Sequence, residues 1–178
     1  EILLTLGANT KQRIWANGDA AFPVDQRFPE SAKQQICAAM RVSDNIEPGD
    51  ALVVATSGSS GSPKGVILTH DAVAASAEAT SLRLGVGAGD HWLACLPLSH
   101  VGGLSVVTRA LHAGTALTVL PVFDAAAVDA SDANLISLVA TTLGRIDCTK
   151  FRTIVLGGAR PPAGRPGNAV TTYGLTET

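Results

Sequence analysis

Short apolar runs at residues 51–55, 66–68, 92–96, 116–120, 135–139, 153–156 and 169–172 constrain this chain more than any other feature. Runs this short, bounded by Gly, Pro, Asn and Asp, fit buried strands rather than helices. Helical spacing fills the intervals. Ala32, Ile36, Ala39 and Met40 predict a helix over 30–42 with Ser31 as its N-cap. Thr69 and Gly85 bracket a second over 71–84, and 103–112 and 141–146 carry two more. Strands alternating with helices predict an α/β fold of layered, mixed β-sheets with flanking helices. Only 4% of residues are aromatic, so Val, Leu, Ile and Ala must build the core.

Composition then removes whole classes of function. Apolar residues make up 46% and charged ones 16%, too little charge for a disordered segment and enough apolar mass for one domain spanning 1–178. Within it, 1–50 reads as a variable N-terminal segment and 51–178 as the core. The N-terminal stretch is expected to be mostly turns, from Gly7, Asn9, Asn17, Gly18, Pro23 and Pro29, with one strand near 13–16. A net charge of -2 with scattered basic residues leaves no footprint for nucleic acid. Cys37, Cys95 and Cys148 form no CxxC pair and read as reduced thiols of a soluble, cytoplasmic protein. No apolar run reaches the roughly 18 to 20 residues of a membrane span. A homodimer stands as one option for its assembly.

Residues 56–65, Thr-Ser-Gly-Ser-Ser-Gly-Ser-Pro-Lys-Gly, lie between two runs expected to become buried strands. Glycines let successive N–H groups turn inward as an anion nest, hydroxyls add donors, and Lys64 adds a full charge, a combination suited to polyphosphate. A flexible Gly/Ser linker is the bland reading of the same composition. The flanking strands and the single placed lysine favour the first. The loop is not a Walker A motif, because Pro63 stands where glycine is required and Gly65 follows the lysine, which argues against a P-loop kinase.

The segment TSGSSGSPKGV resembles the signature phosphate loop of the adenylate-forming superfamily, which includes acyl- and aryl-CoA ligases, luciferases and peptide-synthetase adenylation domains. Thr172-Tyr173-Gly174-Leu175-Thr176-Glu177 is similar to that superfamily's second motif, YGxTE. The resemblance implies the large N-terminal domain of these enzymes (αβαβα), with ATP, Mg²⁺ and the co-substrate CoA. It assigns Thr56, Ser57, Gly58, Ser59, Ser60, Gly61, Lys64 and Gly65 to the β- and γ-phosphates. Thr172, Tyr173 and Gly174 go to the adenine, Thr176 to the α-phosphate, and Glu177 to Mg²⁺; Lys64, His100, Thr176 and Glu177 are the catalytic candidates. A carboxylate must approach a polyanion here, and two unit charges about 4 Å apart repel by roughly 4 kcal/mol at an effective dielectric of 20. Cations and oriented N–H groups lower that barrier.

Between the motifs, Leu96-Pro97-Leu98-Ser99-His100 is similar to the Pro-Leu-x-His segment lining the acid pocket of CoA ligases. Segments 100–114 (HVGGLSVVTRALHAG), 135–146 (LISLVATTLGRI), VLGGA at 155–159 and TYGLTET resemble the o-succinylbenzoate:CoA ligases of menaquinone biosynthesis. By that resemblance His100, Gly102, Gly103 and Arg109 line the acid site, with Arg109 on the second carboxylate of an aromatic dicarboxylic acid. Its forked guanidinium suits that role; a surface arginine paired with an acid is the plain alternative. Gly157, Gly158 and Ala159 would wall the site between adenine and ring, and Ser137 and Thr141 are further pocket candidates.

The implied reaction joins an acid to AMP and then passes it to CoA. Three features depart from the pattern. Ala140 stands where some relatives carry proline, the connection 160–168 is short, and the chain ends at Thr178 without the ribose-binding aspartate or the C-terminal lid domain. The last of these predicts weak nucleotide binding and poor turnover by these residues alone, because carboxylate, α-phosphate and the lid's lysine would not be assembled together. Other aryl- or acyl-CoA ligases and a non-catalytic nucleotide-binding module are the competing readings. A peptide-synthetase domain is disfavoured, because no core aspartate stands out to pair an amino group.

Overall fold

The apolar runs resolve into two separate sheets, an antiparallel hairpin and a five-stranded parallel sheet. The computed structural model describes residues 14–42, 44–57 and 63–177. These divide into two compact units, one formed by residues up to 75 with 98–101 and 175–178, the other by 76–97 and 102–174.

In the first unit, helix α1 (Glu30–Ala39) precedes β1 (Asp50–Ser57) and β2 (Pro63–Thr69). The two strands pair antiparallel with Ala55 opposite Gly65 and Thr56 opposite Lys64, so the Ser/Gly segment is the connection of a hairpin. Ala51, Leu52 and Val54 are buried, and Ala21 pairs with β1 on its other side, its N–H on the Ala51 carbonyl at 2.9 Å. The expectation of two buried strands holds for β1 only. β2 is mostly exposed, because successive side chains take opposite faces: Val66 and Leu68 are half-buried, while Ile67 between them is 59% exposed.

Two local expectations also change. Residues 14–16 are helical rather than extended, because Trp15 turns its indole N–H onto the Ala51 carbonyl at 2.8 Å and a turn closes behind it. Helix α1 is not capped by Ser31. Its N-cap is Pro29, whose carbonyl accepts from Ala32 and Lys33 while φ near -55° pre-sets the first turn. Gly7 and Asn9 lie outside the described residues. Helix α2 (His70–Leu84) begins as expected, with the Thr69 hydroxyl accepting from the Ala72 N–H at 3.2 Å, and stops at Gly85, whose φ of +60° suits glycine.

In the second unit the elements run β3 (His91–Ala94), α3 (Val101–Ala113), β4 (Ala116–Val119), α4 (Ala125–Ala130), β5 (Leu135–Val139), α5 (Ala140–Leu143), a 3-10 turn (Cys148–Lys150), β6 (Thr153–Gly157) and β7 (Ala169–Thr171). The sheet order is β4-β3-β5-β6-β7 and every pairing is parallel. The chain therefore leaves β3 toward one edge and returns to the other side of it. That reversal sends successive crossover helices to opposite faces.

Side-chain packing agrees. Leu93, Ile136, Leu138, Ile154 and Leu156 share one face with Val128 of α4, Leu143 of α5 and Phe151. Trp92 stands opposite Leu135 on the other face, with Ser137 two residues on, and both contact Arg109 of α3. Burial on both faces is what makes these strands apolar throughout. Fully burying a residue such as Leu135 or Ile136 contributes about 1.5–3 kcal/mol.

At the amino-terminal edge of the sheet Asp90 gathers partners from distant segments. It accepts from Asn134 Nδ2 at 2.8 Å, the Gly87 N–H at 2.8 Å, and Arg152 Nη2 at 2.7 Å. Arg152 also donates to the Leu84 and Gly85 carbonyls, tying the end of α2 to the start of β6. Burial pushes the Asp90 carboxyl upward, but the Gly87, Arg152 and Asn134 donors outweigh it and hold it below the usual carboxylate value. No helix among the described residues is long and apolar enough to cross a membrane.

Candidate active site

In an open parallel sheet, ligands bind beyond the carboxyl ends of the strands, where the strand order reverses. Here that point lies between β3 and β5. The motif residues of the second unit cluster along the same edge. Leu96 and Pro97 follow β3, Thr141 follows β5, Gly157, Gly158 and Ala159 end β6, and Thr172, Tyr173 and Gly174 follow β7.

The last two strand ends are tightly fitted. The Thr172 N–H donates to the Leu156 carbonyl at 2.8 Å, and a Cβ at Gly157 would come within 3.1 Å of Thr172 Cγ2. Gly158 has φ +79°, a turn that lets the chain leave the sheet edge flat. Beyond it Gly158, Ala159, Thr172 and Gly174 are exposed, and the Tyr173 ring is 92% exposed, leaving an open aromatic face. The connection 158–168 crosses between parallel strands without a helix. It is held instead by Asn168, whose amide donates to the Cys148 and Phe151 carbonyls.

Arg109 lies behind this edge and is the least ordinary group in the unit. Its residue is only 8% exposed, and no carboxylate among the described residues reaches it. Its Nη2 donates to Ser105 Oγ at 2.7 Å, its Nη1 to Ser137 Oγ at 3.5 Å, and its guanidinium carbon stands 5.2 Å from the centre of the Trp92 ring. Burial alone pulls its pKa down to about 10. The surface-arginine alternative is thereby removed. Among the described residues this buried cation is thus met by two hydroxyls and an aromatic face and by no carboxylate.

The two glycines at the start of α3 differ. Gly103 is buried, and a Cβ there would fall 2.4 Å from the Pro97 carbonyl oxygen and 2.5 Å from that of Leu96. Gly102 is exposed, and its Cβ would meet only Leu96 Cδ1 at 3.8 Å. Close backbone approach is therefore needed at Gly103 alone. Ser137 is buried against Arg109, whereas Thr141 is exposed.

In the first unit, Gly58, Ser59, Ser60 and Gly61 lie outside the described residues. At the hairpin stem, Thr56 Oγ1 donates to the Lys64 carbonyl at 3.4 Å. Lys64 is exposed and has no ion-pair partner among the described residues. Gly65 faces Met40, whose Sδ would be 2.9 Å from a Cβ there. His100 is exposed. Its charge helps lower Asp25, whose carboxyl is held at about 2, first by the hydrogen bond from Arg27. Asp25 was not singled out from sequence, and nothing in its spacing could have linked it to His100. Thr176 is half-buried and Glu177 exposed.

Among the described residues no group of three or more acidic, His or Cys side chains gathers into a metal cage. A separate concavity of about 580 Å³, lined by Phe22, Met40, Glu47 and Val53, contains Gly65 but no other motif residue.

Trp92 and Ser105 were likewise missed. Ser105 had a usable signal, its i, i+4 spacing to Arg109 on one helix; Trp92 had none.

A doubly wound parallel sheet with glycine-rich and aromatic segments at its carboxyl edge defines a nucleotide-binding α/β protein. The chain matches the AMP-binding enzyme family over residues 6–178 and belongs to that family.

It is 37% identical over 211 residues to the 2-succinylbenzoate--CoA ligase of Bacillus cereus (strain ATCC 14579), an alignment covering 99% of this chain and 43% of the relative. It is 30% identical over 210 residues to the enzyme of the same name from Bacillus mycoides (strain KBAB4), covering 99% of this chain and 44% of that one. Among solved structures, o-succinylbenzoate coenzyme A synthetase from Bacillus subtilis in complex with AMP superposes with a TM-score of 0.67 at 25% identity, covering 97% of this chain and 53% of that one. The chain thus spans less than half the length of these curated relatives. Both alignments are longer than the chain itself, so the relatives carry residues within the matched region that have no counterpart here.

Proposed function

We propose that this chain forms the ATP- and acid-binding part of an AMP-forming acid:CoA ligase whose acid is 2-succinylbenzoate. The observation that carries the reading is the buried Arg109 cation on Trp92, with hydroxyl partners and, among the described residues, no carboxylate. An acid with a second carboxylate supplies the counter-charge that the guanidinium lacks. The same name recurs among the chain's relatives. By the family resemblance, the reaction belongs to menaquinone biosynthesis.

In the first step a carboxylate oxygen attacks the α-phosphorus of ATP, forming the acyl adenylate and releasing pyrophosphate. In the second, the CoA thiolate attacks the acyl carbonyl and AMP leaves. Thr56, Ser57, Gly58, Ser59, Ser60, Gly61 and Lys64 hold the outer phosphates, as the motif's composition suits; Lys64 is free to do so, being exposed and unpaired among the described residues. Tyr173 stacks on adenine against Gly157, Gly158 and Ala159, Thr176 meets the α-phosphate, and His100 meets the reacting carboxylate. The lone Glu177 carboxylate suits Mg²⁺ that arrives with the phosphates, because that ion needs few protein ligands and keeps waters and phosphate oxygens. When bound it neutralises phosphate charge.

The test is pyrophosphate release by the full-length protein with a panel of acids. 2-Succinylbenzoate should exceed benzoate, and Arg109→Ala should lower kcat/KM for the dicarboxylate about 100-fold while sparing benzoate, as loss of a charge-assisted pair predicts. An unchanged preference in the variant rules out the assigned role. ATP binding with no dependence on any acid would favour a nucleotide-binding module instead.

A further inference from the structure

We propose that Ser105 is a positioning residue for Arg109, setting where the guanidinium fork points and thereby the selectivity for a second carboxylate. This rests on the role given to Arg109 above. Three contacts hold that side chain, and only one is both short and directional. The Trp92 ring, its centre 5.2 Å from the guanidinium carbon, attracts the charge without fixing which way the N–H groups point. The Ser137 contact is 3.5 Å, at the limit of a hydrogen bond. The Ser105 contact is 2.7 Å, from a residue one helical turn away on the same face.

The polarity of Ser105 is also defined. Its hydroxyl proton goes to the Gly102 carbonyl at 3.3 Å, which leaves its lone pairs to accept from Arg109. Gly103 of that same first turn packs against the Leu96 and Pro97 carbonyls with no room for a methyl group. A line of hydrogen bonds thus runs from the Gly102 carbonyl through Ser105 to the guanidinium. Without the hydroxyl the cation stays buried, but the short contact that fixes its orientation is lost. The defect should appear for a dicarboxylic acid and not for a monocarboxylic one.

The experiment is steady-state pyrophosphate release by the full-length protein, with 2-succinylbenzoate and benzoate compared. Ser105→Ala should raise KM for 2-succinylbenzoate about tenfold, the loss expected for one hydrogen bond to a charged group, with KM for benzoate and kcat unchanged. Ser105→Thr, which keeps the hydroxyl, should restore it. Ser105→Cys keeps the volume but accepts poorly, and it should behave as Ser105→Ala does, which guards against loss of folding in either variant. If Arg109→Ala raises this KM and both hydroxyl-free variants leave it within twofold, the positioning role is overturned while Arg109 keeps its own. If Arg109→Ala also changes nothing, the role of Arg109 falls and the inference with it. Equal rises for both acids would mark Ser105 as merely structural.

Discussion

The hairpin and the parallel sheet use apolar residues in different ways. In β5 and β6 nearly every side chain is buried, whereas β2 leaves Ile67 in solvent and buries nothing fully. Residues proposed for the outer phosphates lie at the hairpin, whereas Arg109 and Ser137, proposed for the acid, and Tyr173, proposed for the base, belong to the unit of the parallel sheet. Stability and chemistry are therefore separated in the hairpin, where exposed polar groups carry the proposed function. In the sheet they are entangled, because Arg109 and Ser137 belong to the buried face itself.

The largest expected contrast comes from truncating an isoleucine in each region. Ile136→Ala, at a position with no exposure, should cost about 4 kcal/mol in urea unfolding, while Ile67→Ala should stay within about 0.5 kcal/mol. Equal costs would mean that the open face of β2 is covered in solution.

A second contrast compares two crowded glycines. Gly103→Ala drives a methyl group onto backbone carbonyls and should cost about 3 kcal/mol. Gly65→Ala meets the end of the flexible Met40 side chain and should cost about 1 kcal/mol. Thermal unfolding of the two variants decides it, and Gly102→Ala, with open space around it, is the control.

The smallest effect separates two acidic residues. Asp90 joins segments up to 62 residues apart, whereas Asp25 pairs with Arg27 two residues away, a partner 60% exposed. Asp90→Asn should cost about 2 kcal/mol at neutral pH, and Asp25→Asn less than about 1 kcal/mol. Because the folded state lowers the Asp90 pKa, its contribution is present above the ordinary carboxylate value of 3.8 and is lost as pH falls below it. The gap between wild type and Asp90→Asn in chemical unfolding should therefore narrow in acid. A gap independent of pH would show that the carboxylate charge is not what Asp90 contributes.

Much of this architecture could be read in advance from periodicity. The strand at Leu135–Val139 falls where its apolar run lies, β2 begins three residues before its run, and the others differ by a residue or two at their ends. Helix α4 (Ala125–Ala130) escaped because six residues are too few for a helical period to register, although Asp124 marks its start by accepting from the Ala127 N–H at 2.7 Å. The 3-10 turn at Cys148–Lys150 is shorter still.

Local chemistry was thus written in the chain order: glycines and hydroxyls beside one lysine, a strand wherever Val, Leu and Ile crowd together, and a helix stop at Gly85. The order of strands, the burial of Arg109 on Trp92, the difference between Gly102 and Gly103, and the partners of Asp90 were settled only in three dimensions. The physical reason is that backbone geometry and side-chain type act over a few residues and leave a periodic trace. Burial and desolvation depend on which distant segments meet, and neighbouring residues carry no record of that.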